Sequence, residues 1–209
     1  NGTIIRKVRQ TPPFDGLRVS TGIDVYLKQG DNISVEVETD ENLHEYINTN
    51  VKNGILHVYT DLNIRRATVK KVYISMKDIT SLHSGSAGDI TGETPVRTDN
   101  IEIGASSAGD IKLEVYARNV SVNISSSGDV TLKGECENLF ARLSSAGNLN
   151  AFDLKAKEAE VNTSSAGDAD ISVRDRLKAR ASSAGNIIYQ GNPEFLDSHS
   201  PSAGTIRRR

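Results

Sequence analysis

The 209-residue chain has no tryptophan, one methionine, one cysteine and only 5% aromatic residues. A lone cysteine excludes an intramolecular disulfide framework and a cysteine-cluster zinc site. Scarce aromatics exclude a core of bulky rings and favour thin, regular layers of small and β-branched side chains. No apolar run approaches the roughly 18 residues of a helical membrane span. No secretory leader is visible, so a secreted form would be one from which the leader has been removed. A basic excess is missing too: 25 Lys and Arg stand against 27 Asp and Glu. That balance gives no reason to expect a nucleic-acid partner, which calls for clustered cations. Arg207, Arg208 and Arg209 form the one basic run and read as a solvated tail. Cys136, in "KGECENL", lies beside two glutamates that would raise its pKa, so it reads as incidental rather than nucleophilic.

What the chain has instead is a repeat. "SSAGD" at 106–110 recurs as "GSAGD" at 85–89, "SSSGD" at 125–129, "SSAGN" at 144–148, "SSAGD" at 164–168, "SSAGN" at 182–186 and "PSAGT" at 201–205. The intervals between successive glycines, from Gly88 to Gly204, are 21, 19, 19, 20, 18 and 19 residues. Apolar residues keep a fixed phase to each glycine. Six positions before it stand Leu82, Ile103, Val122, Ala141, Val161 and Ala179; two after it stand Ile90, Ile111, Val130, Leu149, Ala169, Ile187 and Ile206. Ile101, Val120, Leu139, Ala159 and Leu177 continue the pattern eight before, and Leu113, Leu132, Ala151 and Ile171 four after. Odd offsets carry polar residues such as Glu102, Ser121, Glu160 and Lys178. This is the alternation of half-buried strands on both sides of a turn. Length changes fall in connections such as "YARN" and "KGECEN", while the strand–turn–strand part holds its register.

An all-β parallel solenoid with about 19–20 residues per coil satisfies this pattern. An antiparallel hairpin repeat is the alternative, but hairpin loops favour Asn-Gly or Asp-Gly, and here the glycine precedes the Asp. Within the phrase, Gly109, Gly128, Gly147, Gly167 and Gly185 are expected to supply a left-handed bend. Ser107, Ser126, Ser145, Ser165 and Ser183 share the even phase of the core. Their hydroxyls are therefore expected to point inward and satisfy the corner. The residue after the glycine is expected to cap the turn by accepting a backbone N–H.

Three chemical readings compete with a purely structural turn. The column Asp89, Asp110, Asp129 and Asp168 offers oxygen ligands to calcium, but it lacks the doubled glycine and short period of calcium-binding rolls. A nucleophilic serine needs a positioned base, and none of His44, His57, His83 or His199 recurs with the serines. Polysaccharide cleavage needs a dedicated carboxylate pair, and the acids here are scattered. The chain therefore reads as non-catalytic, with no cofactor and no metal site. Specificity, if present, is expected in the outward odd positions and the variable connections.

Residues 1–80 are strand-rich, 81–206 hold the seven repeats, and 207–209 form a tail, all within one domain. "GLRVSTGIDVYLKQGD" reads as a degenerate first coil. "NISVEVETD" follows as a strand with Ile33, Val35 and Val37 inward. A short helix is expected near Glu41–Ile47, a hairpin at Asn53-Gly54, and a strand in "VKKVYISM". This part is expected to cap one end of the solenoid.

"FDGLRVSTGIDVYLKQGD", "VKNGILHVYT" and the train of "SSAGDI" and "SSAGNL" units together resemble the auto-transporter adhesin head GIN domain family, a bacterial cell-envelope domain of unknown function. The resemblance spans about residues 8–206. It implies a β-helical fold, a location that is secreted, periplasmic or outer-membrane-anchored, and an adhesive or structural role toward a surface glycan or protein. It carries no catalytic or ligand residues. Thr205 departs from the acidic column at the last unit, and the short final coil points to pairing with another copy through the solenoid end.

Overall fold

The computed structural model describes residues 1–209 and is built almost wholly from strands. The N-terminal part holds β1 (Ile4–Val8), β2 (Gly16–Val19), β3 (Asp24–Gln29), β4 (Ser34–Asp40), β5 (Ile47–Lys52), β6 (Ile55–Thr60) and β7 (Lys70–Met76). The repeats supply β8 (Ser81–Ser84), β9 (Asp89–Gly92), β10 (Val96–Ala105), β11 (Asp110–Ile124), β12 (Asp129–Leu143), β13 (Asn148–Thr163) and β14 (Asp168–Ala181). They finish with β15 (Asn186–Gln190), β16 (Phe195–His199) and β17 (Thr205–Arg208). The helix expected over Glu41–Ile47 is only a 3-10 turn at Glu41–Leu43, because Ile47 already begins a strand.

Successive repeats pair in parallel, one coil above the next, so the chain forms a right-through β-solenoid rather than stacked hairpins. Ile103 sits beside Val122, Val122 beside Ala141, Ala141 beside Val161, and Val161 beside Ala179. All are buried, as are Ile90, Ile111, Val130, Leu149, Ala169 and Ile187 on the other arm. Each such Leu, Ile or Val contributes about 1.5–3 kcal/mol by burial. The core is one contiguous cluster from Phe14 to Tyr189. Where a coil is longer or shorter, the ladder slips at Thr131/Lys133, Ala151/Lys155 and Ala156/Glu158, within the variable connections.

The degenerate first coil is present, with β2 pairing β8 and β3 pairing β9. Spatial order nevertheless departs from chain order. β6 pairs the other edge of β2, and β7 the other edge of β3, so a later layer lies outside the first one. Antiparallel strands close that end: β5 on β6, then β4 on β7 and β1 on β4. The β5–β6 turn places Asn53 and Gly54 at φ 52° and 75°, as a two-residue hairpin requires. Val35 and Val37 are buried in β4, but Ile33 precedes the strand and is 43% exposed.

The repeated corner differs from expectation in three ways. First, the left-handed residues are the serine and alanine: Ser107 and Ala108 have φ 50° and 57°, and every other copy matches. Gly109 donates its N–H to Ser106 O at 3.0 Å and closes a type I′ arrangement. Glycine is required for another reason. A Cβ at Gly109 would lie 2.6 Å from the Ser84 carbonyl carbon and 2.7 Å from the Gly85 nitrogen of the adjacent coil. Second, Ser107, Ser126, Ser145, Ser165 and Ser183 are exposed, because two left-handed residues in succession carry the chain outward and break the strand phase. Corner backbone groups are paired by the stack instead: Ser106 N to Ser84 O (3.0 Å), Ala108 N to Ser126 O (3.2 Å) and Asp110 N to Gly88 O (3.1 Å).

Third, the acidic column mostly pairs sideways rather than capping. Asn148 donates to Asp129 at 2.6 Å and Asn186 to Asp168 at 2.7 Å. Asp24 joins the column, so Asp24, Asp89, Asp110 and Asp129 occupy consecutive layers. Burial, then the neighbouring carboxylates, push Asp89 and Asp110 above the usual carboxylate range. No three His, Cys, Asp or Glu side chains converge as a metal cage would require. Asparagines form a second ladder at the opposite corner, Asn138 to Asn119 to Asn100 at 2.8 and 2.7 Å.

Candidate functional site

In a parallel stack, every outward position becomes a column with one side chain per layer. Five positions before the corner glycine, the column reads His57, Arg18, His83, Gly104, Asn123, Arg142, Asn162, Arg180, His199. At about 4.8 Å per layer, Arg18 and Arg142 are about 19 Å apart, and Arg142 and Arg180 about 10 Å. The corner serines Ser106, Ser125, Ser144, Ser164 and Ser182 run beside this column. Between the two lies an open groove of about 730 Å³, running along the solenoid axis.

The groove's lining holds arginine, histidine, asparagine, serine and threonine but no Asp or Glu. Arg18 and Arg142 make no ion pair or hydrogen bond within the chain. Arg180 is held by Asp197 at 2.8 Å, which raises its pKa further. Glu102 and Glu160 stand in the next outward column, outside the lining. His83 is kept below its ordinary pKa by burial first and Arg18 next, and His57 likewise, so the guanidinium groups carry the positive charge at neutral pH. His83 faces Glu102 at 3.9 Å and bonds to no groove serine, so no serine here has a base. Ser84 donates its hydroxyl to the Gly88 carbonyl; the corner serines keep theirs for solvent or a ligand.

Sequence-expected site residues fall on either side of this groove. Ser107, Ser126, Ser145, Ser165 and Ser183 crest the corner, Gly109 to Gly185 sit under it, and the Asp column lies on the far arm. Cys136 is buried at the opposite corner, and burial, not the flanking glutamates, pushes its thiol up to about 12. The arginine column went unremarked in the repeat because its members differ from layer to layer. Its signal in the sequence is the set of residues five positions before each corner glycine.

Fold and groove define a class: a repeat β-solenoid presenting an elongated polar groove along its axis. Residues 13–193 match the family described as "Putative auto-transporter adhesin, head GIN domain", and the chain belongs to that family. Its fold is similar to that of a crystal structure titled a putative adhesin from Bacteroides fragilis, with 21% identity, TM-score 0.94, and 100% of this chain and 98% of that one covered. A putative adhesin from Parabacteroides merdae is similar at 22% identity and TM-score 0.83, covering 100% and 97%. A structure titled a putative lipid binding protein from Parabacteroides distasonis is similar at 25% identity and TM-score 0.78, covering 100% and 98%. No curated protein matches the chain by sequence. No helix is long and apolar enough to cross a membrane.

Proposed function

We propose that the chain is a non-catalytic, adhesin-like binding module of the bacterial envelope or its exterior, acting as one rigid domain whose binding face is the arginine–serine groove. The observation that carries this reading is the groove itself: an acid-free surface crossing successive coils, with Arg18 and Arg142 unpaired. Family membership supports the adhesive role and an envelope, periplasmic or secreted location. Serines without a base, and a lining without a carboxylate pair, support binding over catalysis. The lipid named for one structural relative suits this groove poorly, since only 4 of its 21 lining residues are hydrophobic. Pairing of copies through the open edges of β16 and β17 belongs to the same reading; light scattering that finds only monomer at high concentration removes it.

The test is a glycan and envelope-extract array probed with the wild type and with the Arg18→Ala/Arg142→Ala double variant. The reading expects a wild-type signal that the double variant loses while its melting profile is unchanged. A signal indifferent to both arginines would place binding elsewhere and refute the groove.

A further inference from the structure

Three properties of the groove narrow its ligand. Its length fits an extended chain rather than a compact molecule: seven successive members of the column, from Arg18 to Arg180, span about 29 Å at one layer spacing each. The lining contains no Phe, Tyr or Trp, and His83 is its one ring. Nucleic-acid grooves stack successive bases on a series of aromatic platforms, and no such series exists here. Acyl chains would find little to hold, since the four apolar lining residues, Val19, Ala105, Ile124 and Leu143, are each no more than 3% exposed. What remains is guanidinium charge at wide spacing, interleaved with amide and hydroxyl groups once per layer.

We propose that the groove takes a linear acidic polysaccharide laid along the solenoid axis, a reading that rests on the groove being the binding face. Carboxylate or sulfate groups of the chain meet Arg18 and Arg142, the two guanidiniums with no internal partner. The planar fork of arginine matches such oxyanions in a bidentate manner. Arg180 contributes once its hold on Asp197 is shared with the ligand. Sugar hydroxyls between the acidic groups meet Asn123, Asn162 and the row Ser106, Ser125, Ser144 and Ser164. Acidic groups recurring at about 10 Å, two layers, match the Arg142–Arg180 interval, and twice that interval matches Arg18–Arg142. Glu102 and Glu160 border the groove and set its limit by repelling acidic groups placed off the axis.

The experiment is calorimetric titration of the full chain with two acidic probes, oligogalacturonate and a heparin fragment, each long enough to span the column. Fully methyl-esterified oligogalacturonate and single-stranded DNA serve as comparisons. The expected result is binding of at least one acidic glycan that weakens as salt rises. Arg142→Ala should weaken it about tenfold and Arg142→Lys less, with no change for Lys112→Ala on the opposite arm. Equal binding of the methyl ester, still sensitive to Arg142→Ala, overturns the acidic class and leaves the groove standing. Binding indifferent to Arg18 and Arg142 overturns the groove as well. Equal binding of DNA overturns the polysaccharide assignment, and failure of both acidic probes at millimolar concentration overturns the proposal outright.

Discussion

Exchanging the roles of residues within one corner tests the reason the repeat exists. Two variants separate the two jobs at Ser106–Gly109. In Gly109→Ala, the new Cβ would lie 2.6 Å from the Ser84 carbonyl carbon, whereas ordinary contact begins at 3.4 Å. The coils must part by about 1 Å, which stretches the Ser106–Ser84 and Asp110–Gly88 bonds, now 3.0 and 3.1 Å, beyond useful length. Two lost bonds at about 0.5–1.5 kcal/mol each, plus overpacking strain of about 1–3 kcal/mol, give a loss of about 2–6 kcal/mol. In Ser107→Asn/Ala108→Gly, the left-handed pair becomes the Asn-Gly that a type I′ turn prefers. Relief of about 1–2 kcal/mol at the alanine is partly offset by about 0.4–1 kcal/mol of added freedom in the unfolded chain. The net expectation is a gain of about 0.5–1 kcal/mol. For a chain of this size the two variants should differ in Tm by about 10 °C, with wild type between them. A Gly109→Ala protein that melts like wild type, or an Asn-Gly variant that melts below it, refutes the assignment.

Other consequences follow from the same geometry. Asp110 lies between Asp89 and Asp129, so Asp110→Asn removes repulsion of about 1 kcal/mol per neighbour before screening and allows the amide bridge seen at Asn148. The variant should be more stable by about 1 kcal/mol at pH 7 and low salt. Because the Asp110 pKa is raised in the fold, the advantage shrinks as pH falls through that value; an advantage that persists at pH 3 contradicts the electrostatic cause. Asp40 is only 2% exposed and accepts N–H bonds from Thr68 and Gly2, each at 2.7 Å, which hold its carboxyl down at about 2. Its contribution is present above the usual carboxylate range and lost as pH falls through about 2. Acid unfolding monitored near β4 should therefore ease in Asp40→Asn, and an unchanged acid midpoint would count against it. Cys136, with its thiol pushed up to about 12, should resist thiol reagents at pH 8 until the chain unfolds; rapid native labelling would show that its corner opens.

The solenoid was legible because its physical requirement repeats. One coil can bury its inward face only against identical neighbours, so Ile111, Val130, Leu149 and Ala169 recur in phase. The corner was legible in place but not in mechanism. Sequence marks the glycine, and glycine has two uses, left-handed backbone and close approach; only the adjacent coil, whose Ser84 and Gly85 stand 25 and 24 positions before Gly109, decides between them. The same ambiguity misdirected Ser107, whose even phase holds only while the backbone stays extended. Layer order in the N-terminal part was not legible either. β6 and β8 both fit an edge of β2, and which edge each takes depends on the antiparallel strands that close the end.

The arginine column carries the last test, because it separates what the repeat holds constant from what it leaves free. Asn123 is exposed and sits beside Arg142 in the next layer, about 4.8 Å away. Asn123→Asp therefore places a carboxylate where it pairs with Arg142 and puts the first acid into the groove. An outward polar exchange of this kind should change stability by no more than about 0.5 kcal/mol. Binding of an acidic oligosaccharide should nevertheless fall about tenfold, since one guanidinium is neutralised and the new charge repels the chain. Asn123→Gln, which keeps the amide, should bind nearly as wild type does. If Asn123→Asp binds as tightly as wild type, charge in this column is not what the ligand reads. If it unfolds the coil instead, the column is a structural ladder like the asparagines at the opposite corner. Repetition at the corner reflects the contact between coils that every layer must make. Variation along the column is what a ligand lying across those layers can read.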